Sequence, residues 1–214
     1  MRVVMLGAPG AGKGTQAVRL AKWLDAAHVS TGDMLREARA SGSRLGTEAE
    51  RYMSAGALVP DQVVIGIVAE RLGALGSRHV ILDGFPRTEV QARGLDELGY
   101  AVDVAVAIEV ADEEVVERLS GRLTCTGCGA PYHKTMKRPR QEGVCDLCGA
   151  ALQVRGDDQE SVIRARLASY HEHTAPLLDF YGSKGVLRRV EGRGEMDAIY
   201  ERIAKVLEPE LERW

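Results

Sequence analysis

Aromatic residues are scarce in this chain, and several other features are missing as well. Phe, Trp and Tyr make up 5% of the 214 residues, so the core must consist mostly of Val, Leu, Ile and Ala. No run approaches the roughly 18 apolar residues that a membrane-spanning helix needs. The first apolar run, Val3–Leu6, is too short for the core of a signal peptide. We therefore expect a soluble, cytoplasmic protein.

The chain also lacks a large excess of charge, internal repeats and low-complexity linkers. Its formal net charge of −3 argues against a nucleic-acid-binding surface that covers the whole protein. Charged residues are 28% and hydrophobic residues 45% of the composition, which is typical of a globular protein. The length allows one sizeable core with an inserted module.

Short apolar runs alternate with amphipathic helical patterns along most of the sequence. We predict strands at Val3–Leu6, His28–Ser30, His79–Asp83, Val104–Val110 and Gly185–Val190. One helix should begin at Pro60, with Asp61 as its N-cap, and another should run from about Met196 to Glu208. The alternation predicts an α/β fold with a five-stranded parallel sheet flanked by helices.

A glycine-rich loop follows the first predicted strand and precedes a helical pattern. The stretch "GAPGAGKGT" spans residues 7–15, and its backbone N–H groups can surround an anion at the start of a helix. Lys13 would reach the terminal phosphates of a nucleotide. The predicted phosphate-binding residues are Gly10, Ala11, Gly12, Lys13, Gly14 and Thr15.

One position in this loop departs from the common pattern. Ser or Thr usually follows the lysine and binds Mg²⁺ through its hydroxyl group, but Gly14 stands there and Thr15 comes one place later. The loop therefore need not hold magnesium directly. Asp83, at the end of the strand "HVILD", is instead expected to hold the water shell of the ion.

All four cysteines lie in one short segment that interrupts the helical periodicity. Cys125, Cys128, Cys145 and Cys148 have the spacing C-x2-C-x16-C-x2-C, which is typical of a tetrahedral zinc site. Four thiolates would close the coordination shell, so we expect structural zinc, although iron fits the same ligands. We interpret residues 121–158 as a small inserted domain that the metal helps to fold.

Three further motifs complete a resemblance to one family. They are "STGDMLR" at 30–36, "LDGFPRT" at 82–88 and "RGDDQESVIRARL" at 155–167. Together with the glycine-rich loop they resemble the adenylate kinases, and the cysteine pairs are similar to the metal-bearing lid of many bacterial members. The resemblance runs from Val3 to about Gly194 and implies reversible, Mg-dependent transfer of a phosphoryl group from ATP to AMP.

The resemblance also implies roles for individual residues. The residues expected in catalysis are Lys13, Arg87, Arg122, Arg155 and Arg166. Besides the loop, those expected to bind ATP are Arg118, Arg122, Pro131, Tyr132 and Gly194. Those expected to bind AMP are Thr31, Arg36, Ala57, Leu58, Val59, Gly84, Phe85, Pro86, Arg87, Gln91, Arg155 and Arg166.

The same resemblance implies a division of the chain. Residues 1–29, 60–120 and 159–214 would form the core, 30–59 an AMP-binding segment, and 121–158 a zinc-binding lid. We expect a monomer whose ligands are ATP, AMP and ADP, with Zn in the lid, Mg with ATP, and neither nucleic acid nor membrane as a partner. Gly121 and residues 156–158 are expected hinges, although Asp157 and Asp158 could simply be N-caps.

A different class of function stays open at this point. The lid carries a basic run, "HKTMKRPR" at 133–140, beside its cysteine pairs. We interpret the run as a solvated loop tip. The alternative is a zinc-ribbon module that binds nucleic acid and sits on a nucleotide-regulated scaffold.

Overall fold

A parallel five-stranded sheet forms the centre of the computed structural model, which describes residues 1–76 and 78–211. The strand order is β2-β3-β1-β4-β8, so the amino-terminal strand lies in the middle. The strands are β1 (Arg2–Leu6), β2 (Ala27–Ser30), β3 (Val80–Asp83), β4 (Val104–Glu109) and β8 (Leu187–Glu191). This confirms the predicted fold class.

Nine α-helices connect or flank these strands within the described residues. Their bounds are α1 (Lys13–Trp23), α2 (Thr31–Ala40), α3 (Arg44–Ser54), α4 (Asp61–Leu75), α5 (Glu89–Glu97), α6 (Asp112–Ser120), α7 (Glu160–Ser169), α8 (Leu177–Ser183) and α9 (Met196–Leu211). A 3₁₀ turn at Gly156–Asp158 precedes α7, and a π-helical turn at Tyr170–Thr174 follows it. Among the described residues, no helix is both long and apolar enough to span a bilayer.

The sheet has an apolar layer on each face because successive strand residues point to opposite sides. Val4 and Leu6 of β1 pack with residues of α4, α5 and α8 on one face. Val3 and Met5 pack with residues of α1 and α9 on the other. Aliphatic side chains dominate both layers, as the scarcity of aromatic residues predicts, and Phe85 is one of the few rings among them.

A second, smaller sheet lies between α6 and α7. It contains β5 (Arg122–Cys125), β6 (Pro131–His133) and β7 (Leu152–Gln153), antiparallel in the order β6-β5-β7. Its buried cluster consists of Cys125, Tyr132 and Cys145 with a few half-buried neighbours. We call residues 121–158 the lid segment. Its core is far smaller than either layer of the main sheet.

One helix start differs from its prediction. Pro60 occupies the N-cap position of α4, no side chain caps this helix, and Asp61 is its first helical residue. The expectation that Asp61 is the N-cap is therefore wrong. Its carboxylate is used elsewhere, since it accepts hydrogen bonds from Thr88 and Gln91 on a neighbouring element.

Candidate active site

The glycine-rich loop joins the end of β1 to the start of α1. Gly10 and Gly12 have φ angles of +78° and +98°, a region that other residues rarely adopt. A Cβ on Gly7 would lie 2.5 Å from the carbonyl oxygen of Ile108, which excludes any side chain there. The loop thus brings the amino terminus of α1, and with it the positive end of the helix dipole, to the carboxyl edge of the sheet.

A close contact with Asp83, which the sequence does not reveal, favours glycine at position 14. A Cβ at this position would lie 3.1 Å from Oδ2 of Asp83. A hydroxyl-bearing side chain at position 14 would therefore crowd the carboxylate at the end of β3. The glycine lets Asp83 approach the first turn of α1, and Thr15 and Asp83 line the same cavity.

This cavity, of about 590 Å³, is the larger of two that meet at the carboxyl edge of the sheet. Its size suits a nucleotide-sized ligand. Its wall is rich in cationic side chains, from the lid segment and from the rest of the chain: Lys13, Arg19, Arg36, Arg87, Arg118, Arg122, Lys137, Arg155 and Arg166. So many positive charges around one space favour a polyanionic ligand.

The innermost cations are held by groups of the chain itself. Lys13 Nζ donates to the carbonyl oxygens of Gly7 and Ala8, at 2.7 and 2.8 Å. Burial lowers the pKa of Lys13 to about 8, against the attraction of Asp83. The positive charge of the neighbouring Arg87 contributes to this lowering of the pKa. The charged form of Lys13 is therefore costly until an anion enters the cavity.

Two arginines of the site also have a lowered pKa. Burial, and next the charge of Arg166, lower the pKa of Arg87 to about 10. Burial, and next the charge of Arg122, lower the pKa of Arg155 to about 10. Both remain charged at neutral pH, so like charges are held close together in advance of a ligand. Such a preorganised group stabilises charge that develops during a reaction.

A smaller pocket opens beside the large cavity. Its wall includes Thr31, Ala57, Leu58, Val59 and Gln91, together with Gly84. Arg36, Arg87 and Arg166 line both spaces. Thr31 Oγ1 donates to the carbonyl of Gly84 at 2.9 Å, which ties α2 to the end of β3. The shared arginines mark the place where groups from the two pockets would meet.

A buried ion pair connects the lid segment to this site. The guanidinium of Arg122 donates two hydrogen bonds to Asp158, at 2.7 and 2.5 Å, and the Asp158 side chain is fully buried. Arg166 pairs with Asp157 at 2.9 Å and lies 3.5 Å from Asp158. Neither aspartate caps α7, whose N-cap position is Gln159. The two carboxylates instead separate and orient the arginines.

Most of the residues that were predicted for the site form part of the wall of the large cavity or of the smaller pocket, but four do not. Ala11 is fully buried under the loop, and the ring of Phe85 belongs to the main core. The Tyr132 side chain lies inside the lid segment, where its hydroxyl accepts the amide N–H of Asp146. Gly194 lies outside the cavity wall, although the nearby carbonyl of Gly192 accepts a hydrogen bond from Arg118.

The structure also brings to the site residues to which the sequence analysis gave no role there. His28 lines the large cavity with Nε2 3.6 Å from Asp83. Lys137 lines it too, whereas its neighbours Lys134, Arg138 and Arg140 do not. Asp61 binds the amide of Gln91. The contacts of His28 and Asp61 come from strand register and helix packing, which no local motif encodes.

The four cysteines converge within the lid segment. All four Sγ atoms lie within 4.8 Å of one another, and two of the pairs, Cys125–Cys148 and Cys128–Cys145, are 3.3 and 3.6 Å apart. These distances are far longer than a disulfide bond of about 2.05 Å. They approach the S–S edge of about 3.8 Å that follows from a Zn–S distance of about 2.3 Å. The cluster thus fits a zinc site.

Backbone groups complete this cluster. The amide N–H groups of Gly127 and Cys128 point at Cys125 Sγ, at 3.3 and 3.4 Å, and that of Leu147 points at Cys145 Sγ at 3.4 Å. Such donors stabilise thiolates, which are the form that binds a metal.

Comparison with known proteins agrees with this geometry. A family model described as adenylate kinase matches residues 5–186. The chain belongs to the adenylate kinase family. It is 49% identical over 212 residues to the adenylate kinase of Syntrophobacter fumaroxidans, covering 97% of this chain and 100% of the relative. It is likewise 49% identical to that of Methanococcoides burtonii over 213 residues, with 97% and 99% covered.

A third relative, the adenylate kinase of Archaeoglobus fulgidus, is 46% identical over 213 residues, with 97% of this chain and 98% of the relative covered. Membership of the adenylate kinase family along nearly the whole chain makes this protein a nucleotide kinase, with transfer of a phosphoryl group from ATP to AMP as its activity. The cysteine cluster agrees with the long, zinc-binding form of the family.

Proposed function

We propose that the chain transfers the terminal phosphoryl group of Mg-bound ATP to AMP at the junction of the two pockets. The observation that carries this assignment is the set of three arginines, Arg36, Arg87 and Arg166, that line both spaces. ATP and AMP together bring about six negative charges into one region, which is electrostatically costly. Fixed guanidinium groups between them lower that cost and bind phosphate oxygens bidentately.

ATP would occupy the large cavity. The loop amides and Lys13 would hold its phosphates, and Arg118 would lie against its adenine. Arg118 is fixed for this role by hydrogen bonds to Glu114 and to the carbonyl of Gly192. Backbone groups of Pro131, Tyr132 and Gly194 are the proposed contacts of the lid segment and the late loop.

AMP would occupy the smaller pocket. Thr31, Gln91 and the chain from Ala57 to Val59 would frame its base, with Gly84, Phe85 and Pro86 forming the neighbouring backbone. Arg36 and Arg87 would hold its phosphate. Arg122, Arg155 and Arg166 would then surround the phosphoryl group during transfer.

The reaction needs no general base. The attacking group is an oxygen of the AMP phosphate, which is already ionised at neutral pH because the second pKa of a phosphate is about 6. Catalysis then depends on alignment, neutralisation of charge and exclusion of water. The cationic wall supplies the neutralisation of charge. Closure of the lid segment and of residues 30–59 over the core would align the substrates and exclude water.

Magnesium fits the carboxyl edge of the sheet. Asp83 offers carboxylate oxygens beside the phosphate loop, and oxygen ligands are those that Mg²⁺ prefers. When bound, the ion would neutralise charge on the ATP phosphates. We propose that Asp83 holds it through its water shell and that Thr15 lies nearby. Zinc is proposed as the metal of the four cysteines.

The experiment is a measurement of ADP formed from ATP and AMP, with and without Mg²⁺. Lys13→Ala should lower kcat by at least about a hundredfold, the usual effect of removing a group that stabilises developing charge. Lys22→Ala, on an exposed position of the same helix, is the matched control and should leave kcat unchanged. A normal rate in Lys13→Ala would refute the assignment. A panel of CMP, UMP and GMP defines the acceptor.

A further inference from the structure

The amide group of Gln91 is held at both ends. Its Oε1 accepts a hydrogen bond from the backbone N–H of Arg87 at 2.7 Å. Its Nε2 donates to Oδ1 of Asp61 at 2.8 Å. The side chain is almost fully buried and lines the smaller pocket. Gln91 is therefore a fixed part of the pocket wall.

The chemistry of the two partners decides which way this amide points. A backbone N–H can only donate, and an ionised carboxylate can only accept. Turning the amide by 180° would place its oxygen against Asp61 and its NH₂ against the N–H of Arg87, so both hydrogen bonds would be lost. Asp61 is itself held, because Thr88 Oγ1 donates to the same Oδ1 at 3.0 Å.

The fixed orientation leaves one donor and one acceptor for a ligand. Nε2 carries a second hydrogen and Oε1 a second lone pair. A 6-aminopurine presents an amino donor beside the ring acceptor N1, which complements this pair. A 6-oxopurine presents a carbonyl acceptor beside N1–H, which would face like groups. An amide free to rotate would accept either edge, so discrimination depends on what prevents rotation.

We propose that Asp61 is a positioning residue that fixes the Gln91 amide and so selects a 6-aminopurine monophosphate over a 6-oxopurine one. The inference rests on the proposed function, because it assumes that the base of the acceptor lies in the smaller pocket. Asp61 would not touch the substrate, since it lies outside the lining of that pocket. It would act only through Gln91.

A purely structural role for Asp61 would give different results. Its carboxylate is at the first position of α4, where the helix dipole favours a negative charge. Loss of that effect would lower stability but would change the use of AMP and IMP equally. The ratio of kcat/KM for AMP to that for IMP therefore separates the two roles. IMP is the suitable probe because it has the size of AMP with the hydrogen-bonding edge reversed.

Three variants test the proposal with ATP as donor. Asp61→Ala should lower the AMP/IMP ratio at least tenfold, mainly through a higher KM for AMP, with kcat at saturating AMP changed less than threefold. Asp61→Asn keeps an oxygen that can accept both hydrogen bonds and should keep the ratio within threefold of the parent. The pair Asp61→Asn with Gln91→Glu keeps a hydrogen bond between the positions but presents only acceptors to the base, and should also lose the discrimination.

An unchanged AMP/IMP ratio in folded Asp61→Ala would overturn the proposal. If Asp61→Ala does not fold, an unchanged ratio in the double variant would do the same. Dissociation constants for AMP and IMP, measured by calorimetry, separate this result from failure of the proposed function. A parent protein that forms no ADP but binds AMP more tightly than IMP, with Asp61→Ala losing that preference, would refute phosphoryl transfer and support the role of Asp61.

Discussion

The core and the lid segment differ in how much apolar surface they bury. The core buries two aliphatic layers against a five-stranded sheet, whereas the lid segment buries little more than Cys125, Tyr132 and Cys145. Yet both contribute cations to one cavity. The packed core gives its cations a stable base and holds them by hydrogen bonds and ion pairs, such as that of Arg166 with Asp157. We expect the smaller lid segment to depend on its cysteine cluster to keep Arg155 and Lys137 in place.

The largest expected effect comes from removing a ligand of the cysteine cluster. Cys145→Ala should abolish stoichiometric metal binding and unfold the lid segment, because structural zinc supplies most of the folding free energy of such small modules. Trypsin should then cleave the chain after Lys134, Lys137 and Arg140 at least a hundredfold faster than in the parent protein. Mass-spectrometric metal analysis of the parent should find one zinc per chain.

The same substitution should leave the core nearly unchanged. The affinity for AMP should stay within about threefold, since the smaller pocket is lined almost entirely by residues outside the lid segment. Leu147→Ala is the matched control, because Leu147 lies between the second pair of cysteines with its side chain 77% exposed. Equal trypsin resistance in Cys145→Ala and Leu147→Ala would show that the metal does not stabilise the lid segment.

The second prediction concerns the junction of the two regions. Asp158→Asn should lower the free energy of unfolding by about 3 kcal/mol, because it removes the buried anion between Arg122 and Arg166. Glu160→Gln removes one partner of an exposed pair two residues away and should change it by less than about 0.5 kcal/mol. Urea denaturation of both variants measures the difference. Equal effects would mean that burial does not distinguish the two ion pairs.

The third prediction follows from the lowered pKa of Lys13 in the core. With a pKa of about 8, roughly half of the Lys13 groups are neutral at pH 8, and bound phosphates should restore the charge. ATP binding at pH 8 should therefore take up about 0.5 proton, which calorimetry in buffers of different ionisation enthalpy can measure. Lys13→Met should abolish this uptake, while Lys22→Met should retain it. Equal uptake in both variants would assign it to another group.

The lowered pKa of Lys13 also determines how its contribution to the free energy of unfolding changes with pH. The unfolded chain keeps Lys13 near its ordinary pKa of 10.5, so between about pH 8 and 10.5 it binds more protons at this site than the folded chain. The contribution of Lys13 to the free energy of unfolding should rise with pH across that window. Its burial is fully destabilising only below about pH 8.

The smallest expected effect is on the KM for ATP, and it should distinguish Lys137 from its neighbour Lys134 in the lid segment. Lys137 Nζ lies 5.1 Å from the ring centroid of Tyr132, and Lys137 lines the cavity, whereas Lys134 does not. Lys137→Ala should raise the KM for ATP about three- to tenfold and leave that for AMP unchanged. Lys134→Ala should change neither. Steady-state kinetics at low salt will decide, and equal effects of the two substitutions would mean that the loop acts only through its overall charge.

The fold and the candidate site differ in how far the sequence predicts them. Hydrophobic periodicity is local, so the five strands and the glycine-rich loop could be found without the structure. The cysteine spacing likewise predicted the cluster. The pairing of Asp61 with Gln91 could not be predicted, because it depends on how α4 packs beside α5. The inward direction of the Tyr132 side chain depends on which face of β6 covers the cysteines.

The two ends of the lid segment adjoin each other. β5 and β7 pair antiparallel through Thr124 and Gln153, and Arg122 Nε donates to Oδ2 of Asp158 at 2.7 Å. The chain thus leaves the core and returns to it at nearly the same place, so no strand of the main sheet depends on what lies between. A segment with this geometry can be shortened, grafted or exchanged between proteins as a cassette, without a change in the sheet that carries the phosphate loop.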